Sequence, residues 1–420
     1  DKDYANEAGS YLLTEEELEN LSVLTSCFDQ VAVLMNVSNI IDMSWVNDPA
    51  YKGHITAILY TWQGGMETGN AVADVLSGKV SPSGKLTDTI AKALSDYPAA
   101  DNFGDEKQNI YAEDIYVGYR YFETFCPEKV LYPFGYGLSY TTFETRVKGA
   151  VSDAEKITIT AEVKNTGGCK GKEVVQVYVH APQGTLGKPA RELKAFTKTK
   201  ELVPGETEEL TLVVPVKSLA SYDDSGVTGQ KSCYVLEPGA YEFYVGNSVR
   251  ATEKADIDGK GAYEVKQLTM IEKLTEALAP VVAFDRLKPG ACGEDGIYET
   301  EKEAALQRTV NLGERIHANL PEALEITGDQ GIRLSDVAEG HATLDAFIAQ
   351  LQKEELATIV RGEGMSSPKV TPGTASAFGG VSDALHAYGI PVACCSDGPS
   401  GIRMEGGWKA TQLPIGTLLA

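Results

Sequence analysis

Apolar positions change their period along this chain, and each change predicts a different kind of element. From Leu18 they recur at Leu21, Leu24 and Phe28, the spacing of one helical face. Thr14 stands before that run with Glu17 three residues later, the pair that closes a helix N-terminus as a capping box. Val31 to Met35 is a short unbroken apolar run, which predicts a strand buried on both faces. His54 to Tyr60 is a second such run. Gly64 and Gly65 break it, and Asn70 to Leu76 returns to helical spacing. Strands and helices in this order over residues 1–125 predict a parallel sheet.

Between residues 145 and 252 the period shortens to two. Ile157, Ile159, Ala161 and Val163 alternate with polar residues. So do Val175, Val177 and Val179, then Leu210, Leu212 and Val214, then Tyr241, Phe243 and Val245. Turn residues at Asn165 to Gly168, Pro204-Gly205 and Pro238-Gly239 separate the runs, as in a β-sandwich. Residues 253–340 are polar and mixed, and read as a linker or helical insertion. A helical face resumes at Leu344, Phe347, Ile348 and Leu351. A loop rich in Gly, Ser and Pro follows from Ser366 to Gly380, then a helix ending near Tyr388-Gly389. Pro391 to Cys395 is apolar and predicts a last buried strand. No internal repeat is present.

Composition narrows the classes. The 420 residues suffice for two or three domains, and 43% apolar content allows a sizeable core. Sixty acidic against 37 basic residues leave a net charge of -23. That argues against a nucleic-acid or anionic-membrane partner, since both need a basic face. No apolar run is long enough to span a bilayer. The seven cysteines are odd in number and none shows zinc-ligand spacing. Cys394 and Cys395 read as small apolar residues of the last strand. This usage fits a reducing, cytoplasmic compartment. The five histidines are scattered, so neither a metal nor another cofactor is implied. The chain starts at Asp1 without Met and ends in Leu418-Leu419-Ala420, which reads as a piece of a longer polypeptide.

The candidate chemistry lies at the exit of the last strand. Asp397 follows it, inside a turn containing Gly398, Pro399 and Gly401, and Arg403 comes six residues on. A carboxylate that accepts and a guanidinium that donates in a fixed fork suit sugar hydroxyls. The same residues also fit a turn stapled by an ordinary ion pair. A retaining glycosidase needs two carboxylates roughly 5 Å apart, and only Glu405 stands near Asp397 in the sequence. Tyr132 to Tyr140 is aromatic and Gly-rich; it fits a sugar platform or, preferably, a brace between domains. Asp42-Met-Ser-Trp45 could reach a cleft, although a buried Trp45 is the commoner outcome. Glu113 to Phe122 reads as a strand with its acids at the exposed start.

These stretches resemble glycoside hydrolase family 3, the β-glucosidase family. Ser396 to Arg403 looks like the Asp-Gly-Pro motif of an early strand of its catalytic barrel. Ala73-Asp-Val-Leu-Ser-Gly-Lys-Val-Ser-Pro-Ser-Gly-Lys-Leu86 looks like a stretch of its α/β sandwich domain. Tyr116 to Phe122 and Leu131 to Thr141 resemble the connection to a fibronectin type III-like domain. Val163 to Gly167 and Pro238 to Gly246 resemble that domain itself. The resemblance implies a permuted order: part of an α/β sandwich (1–125), a connecting segment (126–144), a fibronectin type III-like β-sandwich (145–252), a linker or helical insertion (253–340) and the start of a (β/α)8-type barrel (341–420). The fold class is therefore α/β plus all-β. It implies hydrolysis of terminal β-D-glucosyl residues by a retaining double displacement in a bacterial protein, with a β-glucoside or cello-oligosaccharide as substrate. Asp397 and Arg403 take the family's sugar-binding positions. No Ser-Asp-Trp-like nucleophile motif follows Arg403, and the sugar-binding Lys-His pair is absent. The acid/base Glu is expected just upstream of Asp1, or else at Glu7. The rest of the active site would come from the same polypeptide or a complementary chain, and a homodimer is compatible with this. A non-catalytic carbohydrate-binding or assembly protein and a β-xylosidase are the alternatives; an N-acetylglucosaminidase ranks lowest.

Overall fold

The computed structural model describes residues 6–105, 107–276, 279–308, 310–365, 367–371, 374–398, 400–403, 407 and 409–419. They divide into two compact units, 1–61 with 70–310 and 62–69 with 311–420.

The first unit starts with helix α1 (Glu15–Cys27), closed by the expected capping box. Thr14 N–H donates to Glu17 Oε2 at 2.8 Å, and Glu17 N–H donates to Thr14 Oγ1 at 3.1 Å. Strand β1 (Val31–Met35) pairs in parallel with β2 (Ile55–Tyr60), and helix α2 (Thr68–Leu76) follows. One expectation fails here. β1 is not buried on both faces: its burial alternates, leaving Ala32 and Leu34 exposed. Among the described residues β1 and β2 form a two-stranded sheet, so one face has cover and the other lacks it. The covered face packs Met35, Val33, Ile58 and Tyr60 around Trp45 and Met43. Trp45 is buried, and its Nε1 donates to Asp42 O at 3.0 Å.

Strand β3 (Ile90–Ala91) pairs with β4 (Val130–Tyr132), and helix α3 (Tyr119–Phe125) lies between them in sequence. Glu113 to Phe122 is therefore not the expected strand. Its aromatic residues fall on a three-residue spacing, Tyr116, Tyr119, Phe122 and Phe125, and bury Phe122 and Phe125 from a helix. Tyr132 to Tyr140 is a brace. Gly135 N–H donates to Leu86 O (2.7 Å) and Leu86 N–H to Tyr136 O (2.8 Å) on one side, while Val249 N–H donates to Phe134 O (3.2 Å) on the other.

The sandwich packs two sheets. One is β5 (Phe143–Ser152), β6 (Lys156–Asn165) and, after β7 (Val174–His180) and β8 (Glu192–Lys198) in sequence, β9 (Thr207–Pro215), in the order β5-β6-β9. The other carries β7 and β8. After β10 (Ser221–Asp223) and β11 (Cys233–Leu236) it continues with β12 (Gly239–Gly246) and β13 (Thr252–Ala255), in the order β13-β12-β7-β8. The alternating positions named from sequence face inward: Ile157, Ile159, Val163, Val177 and Phe243 are fully buried. Each such side chain contributes about 1.5–3 kcal/mol relative to exposure.

Residues beyond 252 differ from the expected helical insertion. β13 and β14 (Tyr263–Val265) both pair with β12, and β15 (Thr269–Lys273) joins β10 and β11. β16 (Phe284–Cys292) and β17 (Tyr298–Ala305) form an antiparallel hairpin. Helices appear only afterwards, α4 (Leu312–Ala318) and α5 (Leu334–Ala338). The hairpin strands are rich in Lys, Glu and Arg, so they lack the apolar alternation that marks a half-buried strand.

The second unit contains α6 (Leu344–Ala349), α7 (Lys353–Arg361), β18 (Glu363–Gly364), β19 (Ser376–Gly379), α8 (Asp383–Ala387), β20 (Val392–Cys395) and α9 (Gly416–Leu419). Among its described residues Trp62, Phe347, Leu351, Val370, Ala377, Val381 and Leu385 are the buried apolar side chains.

Candidate sugar-binding site

The site begins with β20. It pairs antiparallel with β19, Ala377 opposite Cys394 and Gly379 opposite Val392, and β19 pairs with β18. This corrects the expectation of a buried strand. Val392 is 41% exposed, and Cys394 and Cys395 are exposed. An unbroken apolar run predicts burial only when something covers it, and β20 has an antiparallel neighbour on one side. Cys394 Sγ lies 3.2 Å from Thr371 Oγ1, and hydrogen bonds from Thr371 hold the thiol below its ordinary range.

Asp397 and Arg403 come together across the turn. Arg403 N–H donates to Asp397 O at 2.6 Å, and Gly401 N–H donates to Gly398 O at 3.1 Å. Gly401 has φ +116°, and a Cβ there would run into the carbonyl of Thr411, so the turn requires glycine. The side chains meet through one long contact, Arg403 Nη1 to Asp397 Oδ2 at 3.4 Å, with 69% and 59% of them exposed. Such a pair contributes about 0–1 kcal/mol. It does not staple the turn; the main chain does. Both charged heads therefore keep hydrogen-bonding capacity for a ligand.

Glu363 on β18 is another carboxylate of this sheet. Lys369 and Arg361 lie 3.6 Å from it, and a hydrogen bond from Ser367 leads the effects that hold it below the ordinary range. Sequence reading passed over it because it stands in a short Gly-flanked stretch. Gly64 and Gly65 mark a break after β2 in the sequence, with no sign of what they approach. Glu405 lies outside the described residues, as do Asp1 and Pro399. Glu7 is exposed and belongs to the first unit, whereas Asp397 belongs to the second. Among the described residues no group of three or more His, Cys, Asp or Glu could hold a metal ion. No helix among them is long and apolar enough to cross a membrane.

Residues 3–140 match the glycosyl hydrolase family 3 C-terminal domain, and residues 173–249 match the fibronectin type III-like domain. A beta-glucosidase of Ruminococcus albus is 49% identical over 420 residues, all of this chain and 43% of its own length. The crystal structure of a beta-glucosidase from Paenibacillus barengoltzii is 62% identical and superposes over the whole chain with a TM-score of 0.95. This chain carries the glycosyl hydrolase family 3 C-terminal domain followed by a fibronectin type III-like domain. A more distant structure, beta-glucosidase 3B of Thermotoga neapolitana in complex with alpha-D-glucose, is 38% identical over 64% of the chain, with a TM-score of 0.57. The chain spans less than half the length of the Ruminococcus and Paenibacillus proteins. In this chain the C-terminal-domain match precedes the fibronectin-like one.

Proposed function

We propose that the complete polypeptide hydrolyses terminal β-D-glucosyl residues with retention, and that this chain supplies Asp397 and Arg403 to the glucose subsite. The supporting observation is the turn itself. It holds an acceptor and a planar donor side by side, both exposed, in a chain aligned throughout with a beta-glucosidase. Asp397 accepts hydrogen bonds from sugar hydroxyls and Arg403 donates them. Bonds of this kind that tighten as the ring approaches the oxocarbenium-like transition state accelerate the reaction.

The nucleophile and the acid/base come from residues outside these 420, on the same polypeptide or a partner chain. Residues 341–420 form the start of the catalytic barrel, 1–125 part of the α/β sandwich and 145–252 the fibronectin-like domain. The seven free cysteines support a cytoplasmic location, and the Ruminococcus and Paenibacillus relatives support a bacterial source. A β-glucoside or cello-oligosaccharide is the substrate.

The test is the complete protein acting on an aryl β-glucoside and an aryl β-xyloside, with NMR of the first anomer released. Faster glucoside cleavage with β-glucose formed first is expected. Preference for the xyloside moves the assignment to a β-xylosidase. No cleavage of either supports a non-catalytic carbohydrate-binding protein.

A further inference from the structure

The turn that presents Asp397 and Arg403 is backed by main-chain contacts that lead to the glycine-rich loop after β2. Leu413 N–H donates to Ser400 O at 2.7 Å, which seats segment 411–415 against the turn. The same segment meets the loop. Met66 N–H donates to Gln412 O at 3.2 Å, and Ile415 N–H donates to Gln63 O at 3.0 Å. The loop and the segment belong to one compact unit.

The approach is close and specific. Gly65 has φ +74°, and a Cβ there would lie 2.7 Å from both Gln412 O and Leu413 C. These are main-chain atoms, and moving them strains the Leu413 bond to the turn. Trp62 opens the loop at φ +52° while only 6% exposed. A bulky residue in the left-handed region costs about 1–3 kcal/mol and persists only where its surroundings over-determine it. The loop thus combines strain, tight approach and main-chain bonding. The Asp397–Arg403 contact is too long and too exposed to fix its own geometry, so the turn's own main-chain bonds shape it and this backing seats it.

We infer that the 62–66 loop is a positioning element for the sugar-binding turn, acting through residues 411–415 on Asp397 and Arg403. The inference rests on the glucose-subsite role proposed above. Positioning matters because the hydrogen bonds to the sugar weaken steeply once donor and acceptor leave their normal distance and angle.

The test is Gly65→Ala in the complete protein, assayed on an aryl β-glucoside. The expected result is a KM raised about tenfold, a loss of ground-state binding of about 1.4 kcal/mol, with glucose inhibition weakened by the same factor and kcat little changed. Gly69→Ala is the control, since a Cβ there meets open space. Unchanged KM and glucose inhibition in a folded Gly65→Ala protein overturn the inference. Should that variant fail to fold, hydrogen exchange of the wild-type protein decides. Glucose is expected to slow exchange in segments 61–68 and 409–417; protection at the turn without protection at 61–68 overturns the coupling. Asp397→Ala separates the two readings. Full glucose affinity in Asp397→Ala sinks the subsite assignment and this inference with it. Lost affinity there, with affinity kept in Gly65→Ala, sinks the positioning role alone.

Discussion

Lys188 and Glu237 form an ion pair inside the sandwich, with 3% and 5% of their side chains exposed. Burial holds the Lys188 ammonium below its ordinary range despite its partner. Burial alone would raise the Glu237 carboxyl, but hydrogen bonds from Lys188 and Thr185 outweigh it and hold the group low. Glu237→Ala leaves a buried charge unpaired and is expected to cost about 3–5 kcal/mol in urea unfolding. Asp223, fully buried, accepts from Gly226 N–H (2.6 Å), Thr228 N–H (2.9 Å) and Thr228 Oγ1 (2.6 Å). Those bonds likewise outweigh burial and lower it. Both folded values lie below the unfolded carboxylate value of about 4. Their stabilisation is therefore complete above about pH 4 and is lost as pH falls through the folded values. Thermal unfolding followed from pH 6 to pH 3 is expected to show this loss, and Asp223→Asn is expected to flatten it. None of this was legible in the sequence, where Asp223 and Glu237 look like ordinary turn acids. The turn at Asp397 was legible because a Gly-rich turn at a strand exit is a local pattern.

Elements defined by local periodicity were read well. α1 with its cap, β1, β2, α2 and the alternating strands of the sandwich all follow from spacing. Elements held by tertiary contacts were not. The hairpin β16–β17 is fixed from outside: Leu287 N–H donates to Ala112 O at 2.8 Å, and Tyr298 enters the core around Tyr116 and Phe122. Arg286 secures it, with Nη1 and Nη2 on Asp224 at 3.0 and 3.1 Å and Glu303 at 3.1 Å. Burial would lower this guanidinium, but its acidic partners keep it above its ordinary value. Arg286→Met is expected to destabilise the hairpin by about 2 kcal/mol. The readout is faster hydrogen exchange at Leu287 while Val177 and Phe243, deep in the sandwich, keep their protection.

Across the whole chain the two units differ in completeness of burial. The first centres on the sandwich core. The second leaves Val360 88%, Phe378 50% and Val392 41% exposed around a few buried side chains. That is too little enclosed apolar area for independent stability. Residues 341–420 expressed alone are expected to unfold without a cooperative transition; a sharp urea transition would contradict this. The sequence pointed to the family because its motifs are local, whereas the exposure of β20 depends on what packs against it. Binding of the glucosyl residue by the Asp397–Arg403 turn is what we propose. Calorimetric titration of glucose into the complete protein and its Asp397→Ala variant tests it most directly. The expected affinity is at least about tenfold weaker in the variant, a difference of about 1.4 kcal/mol. Equal affinities in the two proteins would contradict it.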